Sequence, residues 1–425
     1  MNPILPKPYF IPDVEARVMS DGRLYLYGSF DISGEAFYCS PKLNVFSSGD
    51  LQEWVDHGES FSVEHSHSPD ATRIFAPDCV EYQGQFYQFY CADDWSEGVA
   101  VSERPHGPFR QATAVAGADK DGIDPAVLLD EDGQCYYFWG QFVLRGARML
   151  EDLRGLDPST FRSNLLNESV HGFHEGASIR KRKGLYYLVY TDLSVSGRAT
   201  ALSYAVASQP LGPYEKKGVL IDNFGCDPAT WNNHGSIEAF RGQWYLFYHR
   251  SYHNNRHNRR LCVEPITFDE DGQIGTVEMT TQGVSGPLDP EKEMEAFRAC
   301  RLTGGLKTAV IYPQKETDPW VEYLSGAKNG ESAEFRYFRF ENRMHGFEAV
   351  VGSATGRGWI EVRIDHERGP LLAKVPIPET GGWHRWQRIR VPLKSFYAGV
   401  HSLILLFKGH EGNLGNLHSF RFRRE

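Results

Sequence analysis

The sequence predicts an all-β protein, a five-bladed β-propeller followed by a β-sandwich, and three observations carry that prediction. A hairpin signature recurs as Gly22-Arg-Leu-Tyr25, Gly84-Gln-Phe-Tyr87, Gly133-Gln-Cys-Tyr136, Gly184-Leu-Tyr-Tyr187 and Gly242-Gln-Trp-Tyr245, at spacings of 62, 49, 51 and 58 residues. One hairpin repeated at near-regular intervals marks repeated four-stranded sheets, which bury both faces only when neighbours close round a channel. The intervening segments show almost no helical periodicity, only short β-branched and aromatic runs between turns. Finally, Pro105-His-Gly-Pro-Phe109 is echoed by Pro210-Leu-Gly-Pro-Tyr214 at the same phase of the second and fourth repeats.

After a Pro-rich start, the strand Val14 to Met19 and the turn at Asp21-Gly22 open the first repeat, and Asp50-Leu-Gln-Glu-Trp54 reads as its outer turn. Pro77-Asp78 begins the second repeat. Gly122-Ile-Asp124-Pro125 begins the third, which contains an excursion from Arg148 to Asn167. The fourth begins at Glu175, and the fifth near His234-Gly-Ser-Ile-Glu238, running through Arg259 to Pro265. The Gly- and Pro-containing stretch from Asp271 to Met294 reads as a crossover. These readings give a propeller over residues 1–290 and a second domain over 296–425. In the latter, short strands at 333–340, 346–351, 358–364, 387–391 and 401–407 predict a jelly-roll-like sandwich.

Forty-five basic against 55 acidic residues leave a net charge of -10, which argues against nucleic acid or an anionic membrane as partner. The basic run Arg180-Lys-Arg-Lys183 falls in a predicted hairpin and reads as a solvated turn. Seven scattered cysteines, an odd number without a C-x-x-C pair, read as reduced, buried thiols. With no signal-peptide pattern and no apolar run of spanning length, the expected location is the cytoplasm.

In a closed propeller the first residues of the innermost strands converge at one mouth of the channel. Asp13, Asp124 and Glu175 sit at or just before that phase in the first, third and fourth repeats. Paired carboxyls with a third acid suit glycosidic cleavage. One group stays ionised to activate water, one stays protonated to supply the leaving oxygen, and the third can raise the donor's pKa by like-charge proximity.

On these motifs the chain resembles glycoside hydrolase family 43, with a C-terminal domain resembling a family 6 carbohydrate-binding module. Pro12-Asp13-Val14 stands where the family has A-D-P, with Val14 in place of the usual Pro. Ile123-Asp124-Pro125 and His174-Glu175-Gly176 match the second and third motifs. The resemblance implies an inverting enzyme with Asp13 as base, Asp124 as pKa modulator and Glu175 as acid. Glu15, two residues on and on the same strand face, is the rival to Asp13. By the same resemblance, His234 lies near the channel axis, reaching a structural calcium ion through water, and no cofactor is required for the chemistry. The resemblance also places one active-site arginine in the fifth repeat, with Arg260 preferred to Arg259.

Asp31, Phe75, Asp78, Trp95 and Trp139 are candidates for the sugar-binding wall, since aromatic faces suit pyranose rings and acids take hydroxyls. The expected activity is exo-acting release of pentoses from xylo- or arabino-oligosaccharides, as a β-xylosidase with or without α-L-arabinofuranosidase activity. An endo-arabinanase and a non-catalytic sugar-binding protein are the alternatives, and a homo-oligomer is compatible with the sequence. In the second domain His418-Ser419 replaces the family's usual D-W-F ending, so a structural role competes there with sugar binding.

Overall fold

The computed structural model describes every residue except 121, 316 and 425. Sheet one consists of β1 (Glu15–Val18), β2 (Leu24–Tyr27), β3 (Lys42–Ser48) and β4 (Trp54–Ser62). Sheet two is β5 (Ile74–Tyr82), β6 (Gln85–Ala92), β7 (Glu97–Ser102) and β8 (Arg110–Ala114). Sheet three is β9 (Ala126–Leu129), β10 (Cys135–Trp139), β11 (Val143–Arg148) and β12 (Arg162–Asn167). Sheet four is β13 (Phe173–Arg182), β14 (Leu185–Asp192), β15 (Ala201–Ala207) and β16 (Glu215–Asp222). Sheet five has three strands, β17 (Ser236–Phe240), β18 (Gln243–Tyr252) and β19 (Asn255–Ile266).

Within each sheet, strands consecutive in sequence pair with one another. All five signature glycines adopt left-handed φ, between 75° and 82°, in the turn joining the first two strands of a sheet. A side chain would be strained in that conformation, which explains the repeated Gly.

The first strands follow one another in contact, β1 beside β5, β5 beside β9, β9 beside β13, β13 beside β17, and β17 beside β1. Apolar clusters fill all five spaces between successive sheets. Phe138, Leu166, Ile179 and Leu188 join sheets three and four, and Leu24, Phe46, Phe247 and Val263 join sheet five back to sheet one. This is a propeller-like arrangement. The amino-terminal segment lies along β19, with Ile4 N donating to Leu261 O (3.1 Å) and the Asn2 side chain accepting from Val263 N (2.9 Å).

Three sequence expectations shift. The second repeat starts at Ile74, because Ile74 and Phe75 already pair with Ala92 and Cys91 of β6 ahead of a bulge. The excursion from 148 to 167 includes β12, the outer strand of sheet three. Arg180 is not in a solvated turn: β13 runs on through Arg182 and carries the Arg180 side chain, 5% exposed, into the channel.

The remainder forms two facing sheets. One has the order β22 (Lys307–Ile311), β23 (Val321–Ser325), β30 (Asn416–Arg423), β25 (Gly346–Ser353), β28 (Gly382–Pro392), with β20 (Met294–Glu295) beside β30. The other is β21 (Arg301–Leu302), β24 (Ser332–Phe340), β29 (Gly399–Gly409), β26 (Gly358–Ile364), β27 (Leu371–Ile377). Alternating inward residues such as Phe335, Phe347, Val362 and Phe420 make one sandwich-like core. Its seam with the first domain is ionic: Arg260 Nη1 meets Glu322 Oε1 at 2.8 Å, and His253 Nε2 bonds the same carboxylate.

Candidate active site

Asp13 and Asp124 each precede an innermost strand by two residues and adopt left-handed φ, 55° and 62°. In sheet four that conformation falls on Gly176 (φ 69°), one residue after Glu175, and the β13–β14 register shifts on both sides of Glu175. Left-handed backbone at a strand entrance costs energy for any residue but Gly, less for Asp and Asn than for others, and together with bulges it re-aims side chains at sheet rims. The offset separates the three acids. Asp13 and Asp124 are each 6% exposed at the pocket floor, whereas Glu175 stands half-buried nearer the opening.

All three line one pocket of about 200 Å³. Sheets one and two supply its aromatic side, Phe37, Tyr38, Phe75 and Trp95, and sheets three and five add Ile123, Gln141, Asn232, His234 and Arg259.

The acids differ in their partners. Arg259 Nη1 donates to Asp13 Oδ1 at 2.7 Å, and the Nδ1 atoms of His249 and His234 lie 3.6 and 3.7 Å from the same oxygen. Burial alone would raise Asp13, but the Arg259 guanidinium outweighs it and holds the carboxyl below its ordinary value. Burial pushes His249 down to about 3 and also lowers His234, so both rings are neutral near pH 7. Asp124 accepts from Gly176 N at 3.0 Å, and its raised pKa is set by burial and neighbouring carboxylates and not by an arginine or lysine. Burial, then the charges of Glu175 and Asp13, drive Asp124 well above the carboxylate range. Gln141 Nε2 donates to Glu175 Oε2 at 2.8 Å.

The structure brings Asp13, Asp124, Glu175, Phe75, Trp95 and His234 together and sorts the other candidates elsewhere. Glu15 lies below the pocket, ion-paired with Arg180 at 2.8 Å. Arg260 is corrected to Arg259: adjacent strand residues face opposite ways, and Arg260 points to Glu322, boxed by Phe10, Tyr252 and Phe297. Asp31 is not a wall residue, because it is 1% exposed and grips Arg259 through both oxygens (2.9 Å each). Asp78 is fully buried against Arg17 (2.8 and 2.5 Å). Trp139 packs between sheets two and three with its Nε1 on Asp119.

Sequence reasoning missed Phe37, Tyr38 and Gln141. A usable signal was their placement beside Gly34 and Gly140 in connections at the channel mouth. His249 lies mid-strand, where no local pattern distinguishes it.

Calcium takes about six to eight oxygen ligands. Below His234 the channel is filled by Arg17 and Arg180, which occupy Glu15, Asp78 and Glu238. Among the described residues, Glu15 Oε1 and Ser178 Oγ have no partner there beyond one another. Among the described residues no group of three or more His, Cys, Asp or Glu side chains could hold a metal ion. These side chains do not themselves make a calcium cage.

An arginine-held carboxylate facing a buried carboxyl of raised pKa and a third, half-buried acid, in a pocket with one aromatic side, is the apparatus of a glycoside hydrolase. Comparison with known proteins agrees. Residues 1–274 match the model of glycosyl hydrolases family 43, and residues 306–424 match that of carbohydrate binding module family 6. A xylosidase/arabinosidase of Thermoclostridium stercorarium is 29% identical over 472 aligned residues, covering 96% of both chains. An arabinoxylan arabinofuranohydrolase of Paenibacillus polymyxa is 25% identical, covering 95% of this chain and 71% of that one.

Among solved structures, a family 43 β-xylosidase/α-arabinofuranosidase from a compost microbial metagenome, in complex with xylotriose and calcium-free, matches with TM-score 0.58 and 28% identity. The match covers 65% of this chain and 97% of that one. An arabinoxylan arabinofuranohydrolase from Bacillus subtilis in complex with cellotetraose gives 0.57 at 22% identity, covering 100% and 97%, a likeness of fold across both domains. The chain belongs to glycoside hydrolase family 43, and its C-terminal domain is like the family 6 carbohydrate-binding modules.

Proposed function

We propose that this enzyme is an inverting, exo-acting glycosidase that removes a terminal pentose from short xylo- or arabino-oligosaccharides. In this reading residues 1–290 form a five-bladed β-propeller and residues 296–425 a carbohydrate-binding-module-like sandwich. The observation that carries the reading is the pocket itself, where Asp13, Asp124 and Glu175 meet beneath the aromatic side made by Phe37, Tyr38, Phe75 and Trp95. The names of the relatives, xylosidase/arabinosidase among them, support a pentose as the sugar released, and the ring of first-strand contacts supports the propeller.

In the proposed reaction Asp13, kept ionised by Arg259, takes a proton from water as the water oxygen bonds to the anomeric carbon. Glu175 delivers its proton to the glycosidic oxygen as the carbon–oxygen bond breaks. The leaving sugar departs with a hydroxyl, and solvent resets both carboxyls. Asp124 keeps the pair with Glu175 from ionising twice, and its backbone bond from Gly176 fixes its distance.

The experiment offers xylobiose, xylotriose and arabino-oligosaccharides, with products resolved by size and the first anomer followed by proton NMR. Single pentoses released with inverted configuration are expected. Retention of configuration, or internal cleavage into larger fragments, would reject the reading.

A further inference from the structure

Phe142 is a large apolar side chain that the fold holds out in solvent beside the proton donor. It is 50% exposed, and its backbone is left-handed (φ 64°). That combination is unfavourable twice over. An aromatic side chain gains from burial, and a bulky residue in this conformation is strained where Gly or Asn would not be. The conformation is pinned from both sides. Phe142 N donates to His174 O (2.7 Å), and Glu168 N donates to Phe142 O (3.0 Å).

The ring stands edge-on to His174, with centroids 5.2 Å apart, and Glu168 Oε1 fixes that imidazole at 2.9 Å. Phe142 thus has Gln141, which donates to Glu175, on one side, and packs against the residue preceding Glu175 on the other. Gln141 lines the pocket, and Phe142 lies just outside it.

A proton donor must sit beside the leaving oxygen, so the ring attached to that oxygen lies on the far side of Glu175 from the pocket floor. Phe142 and His174 are the chain neighbours of Gln141 and Glu175, the two residues of the donor contact, and their rings pack together outside the pocket lining. We infer that Phe142 is the platform of a leaving-group subsite, stacking on the first sugar ring beyond the scissile bond of a xylo- or arabino-oligosaccharide. Trp95 has the same construction on sheet two, 43% exposed at φ 65°, but lines the pocket itself. The two half-exposed aromatics therefore bracket the scissile bond, Trp95 toward the released sugar and Phe142 toward the remainder. This inference rests on the proposed role of Glu175 as donor.

The test compares Phe142→Asn, which removes the ring and relieves the backbone strain, with Phe142→Tyr, which keeps the ring. Each is assayed on pentosyl disaccharides and on the corresponding pentosyl fluorides, whose leaving group has no ring. For Phe142→Asn the expected result is a fall in kcat/KM on the order of tenfold for disaccharides, the scale of one aromatic contact. Fluoride turnover and inhibition by free pentose should stay near wild type, and melting temperature should be unchanged or higher. Phe142→Tyr should track wild type throughout. Equal losses of Phe142→Asn on both substrate types, or no loss on disaccharides, would overturn the subsite. A wild-type enzyme that turns over no pentoside would overturn the functional reading as well, which separates the two failures.

Discussion

Asp124 at the channel mouth and Glu322 at the seam between the domains are both nearly inaccessible, 6% and 1% exposed, yet their carboxyls move in opposite directions. Burial raises both. At Glu322, Arg260 and His253 reverse it and bring the pKa down to about 2, with Lys7 a further 3.5 Å away. At Asp124 the nearest charges are other carboxylates, so the shift is upward. The fold can satisfy a buried acid and does so where the acid only joins two domains. At the mouth it withholds the cation from Asp124 and grants one, Arg259, to Asp13. Reactivity here comes from unequal compensation of similar groups.

The largest effects should come from breaking the mouth. Glu175→Ala removes the proton donor and should lower kcat/KM on oligosaccharides by ~10²–10⁴, with a much smaller loss on aryl glycosides whose phenolate leaves unaided. Asp13→Ala should damage both substrate types, and azide should partly restore turnover. Equal loss of Glu175→Ala on both leaving groups would reverse the assignment.

Breaking the seam comes next. Glu322→Ala leaves Arg260 buried without its partner, a change that costs about 3–5 kcal/mol in comparable sites, so a marked fall in melting temperature is expected. The sign with pH is fixed by the lowered carboxyl. Its contribution is complete above the unfolded value of about 4.5 and is lost as pH falls from there toward 2. Wild type should therefore lose more stability than Glu322→Gln across that interval in denaturant titrations. Parallel curves would show that the ion pair is not coupled to folding.

Asp124→Asn sharpens the contrast, because it should trade activity for stability. A raised carboxyl costs stability as pH climbs past its unfolded value of 3.8. Removing it should stabilise the protein at neutral pH by about 0.5–2 kcal/mol, with little gain near pH 4, while the pH–rate profile loses the limb set by the pair. A destabilised variant at pH 7 would mean that Asp124 is held by contacts stronger than its bond from Gly176.

The repeated architecture was legible because it is written locally. Five turn glycines with their aromatics mark the first hairpin of every sheet, and Asp13, Asp124 and Glu175 sit at their entrances. What was illegible depends on where a strand faces after the sheets assemble. Arg259 and Arg260 are equivalent in sequence, and only their assembled partners, Asp13 and Asp31 for one and Glu322 for the other, tell them apart. Asp78 and Arg180 resembled surface residues because their partners, Arg17 and Glu15, belong to sheet one. Trp139 carried the aromatic signal of a sugar platform but lies on the face of β10 that packs toward sheet two. Strand alternation gives two faces without saying which is channel, core or seam.

The channel below the mouth gives the smallest expected effect. Arg17 donates to Asp78 at 2.8 and 2.5 Å and to Val127 O at 2.7 Å. Arg180 donates to Glu15 and Glu238, both at 2.8 Å, and to Ala16 O at 2.7 Å. Two guanidiniums thus already neutralise the acids that would draw a cation into the axis, and Glu15 Oε1 and Ser178 Oγ, among the described residues, have no partner beyond one another. Burial nevertheless pushes Glu15 up to about 7, a sign that its compensation by Arg180 is incomplete and that the channel retains some appetite for positive charge. A cation held at a hundred times its Kd would add about 2.7 kcal/mol to stability, several degrees in melting temperature for a domain of this size. Dialysis against a chelator, followed by melting with and without added calcium, should show no shift on that scale, and elemental analysis of the purified protein should find calcium well below one ion per chain. A stoichiometric ion, or a melting temperature that falls on chelation and returns with calcium, would mean that the arginine pair supplements a cation in the channel and does not replace it.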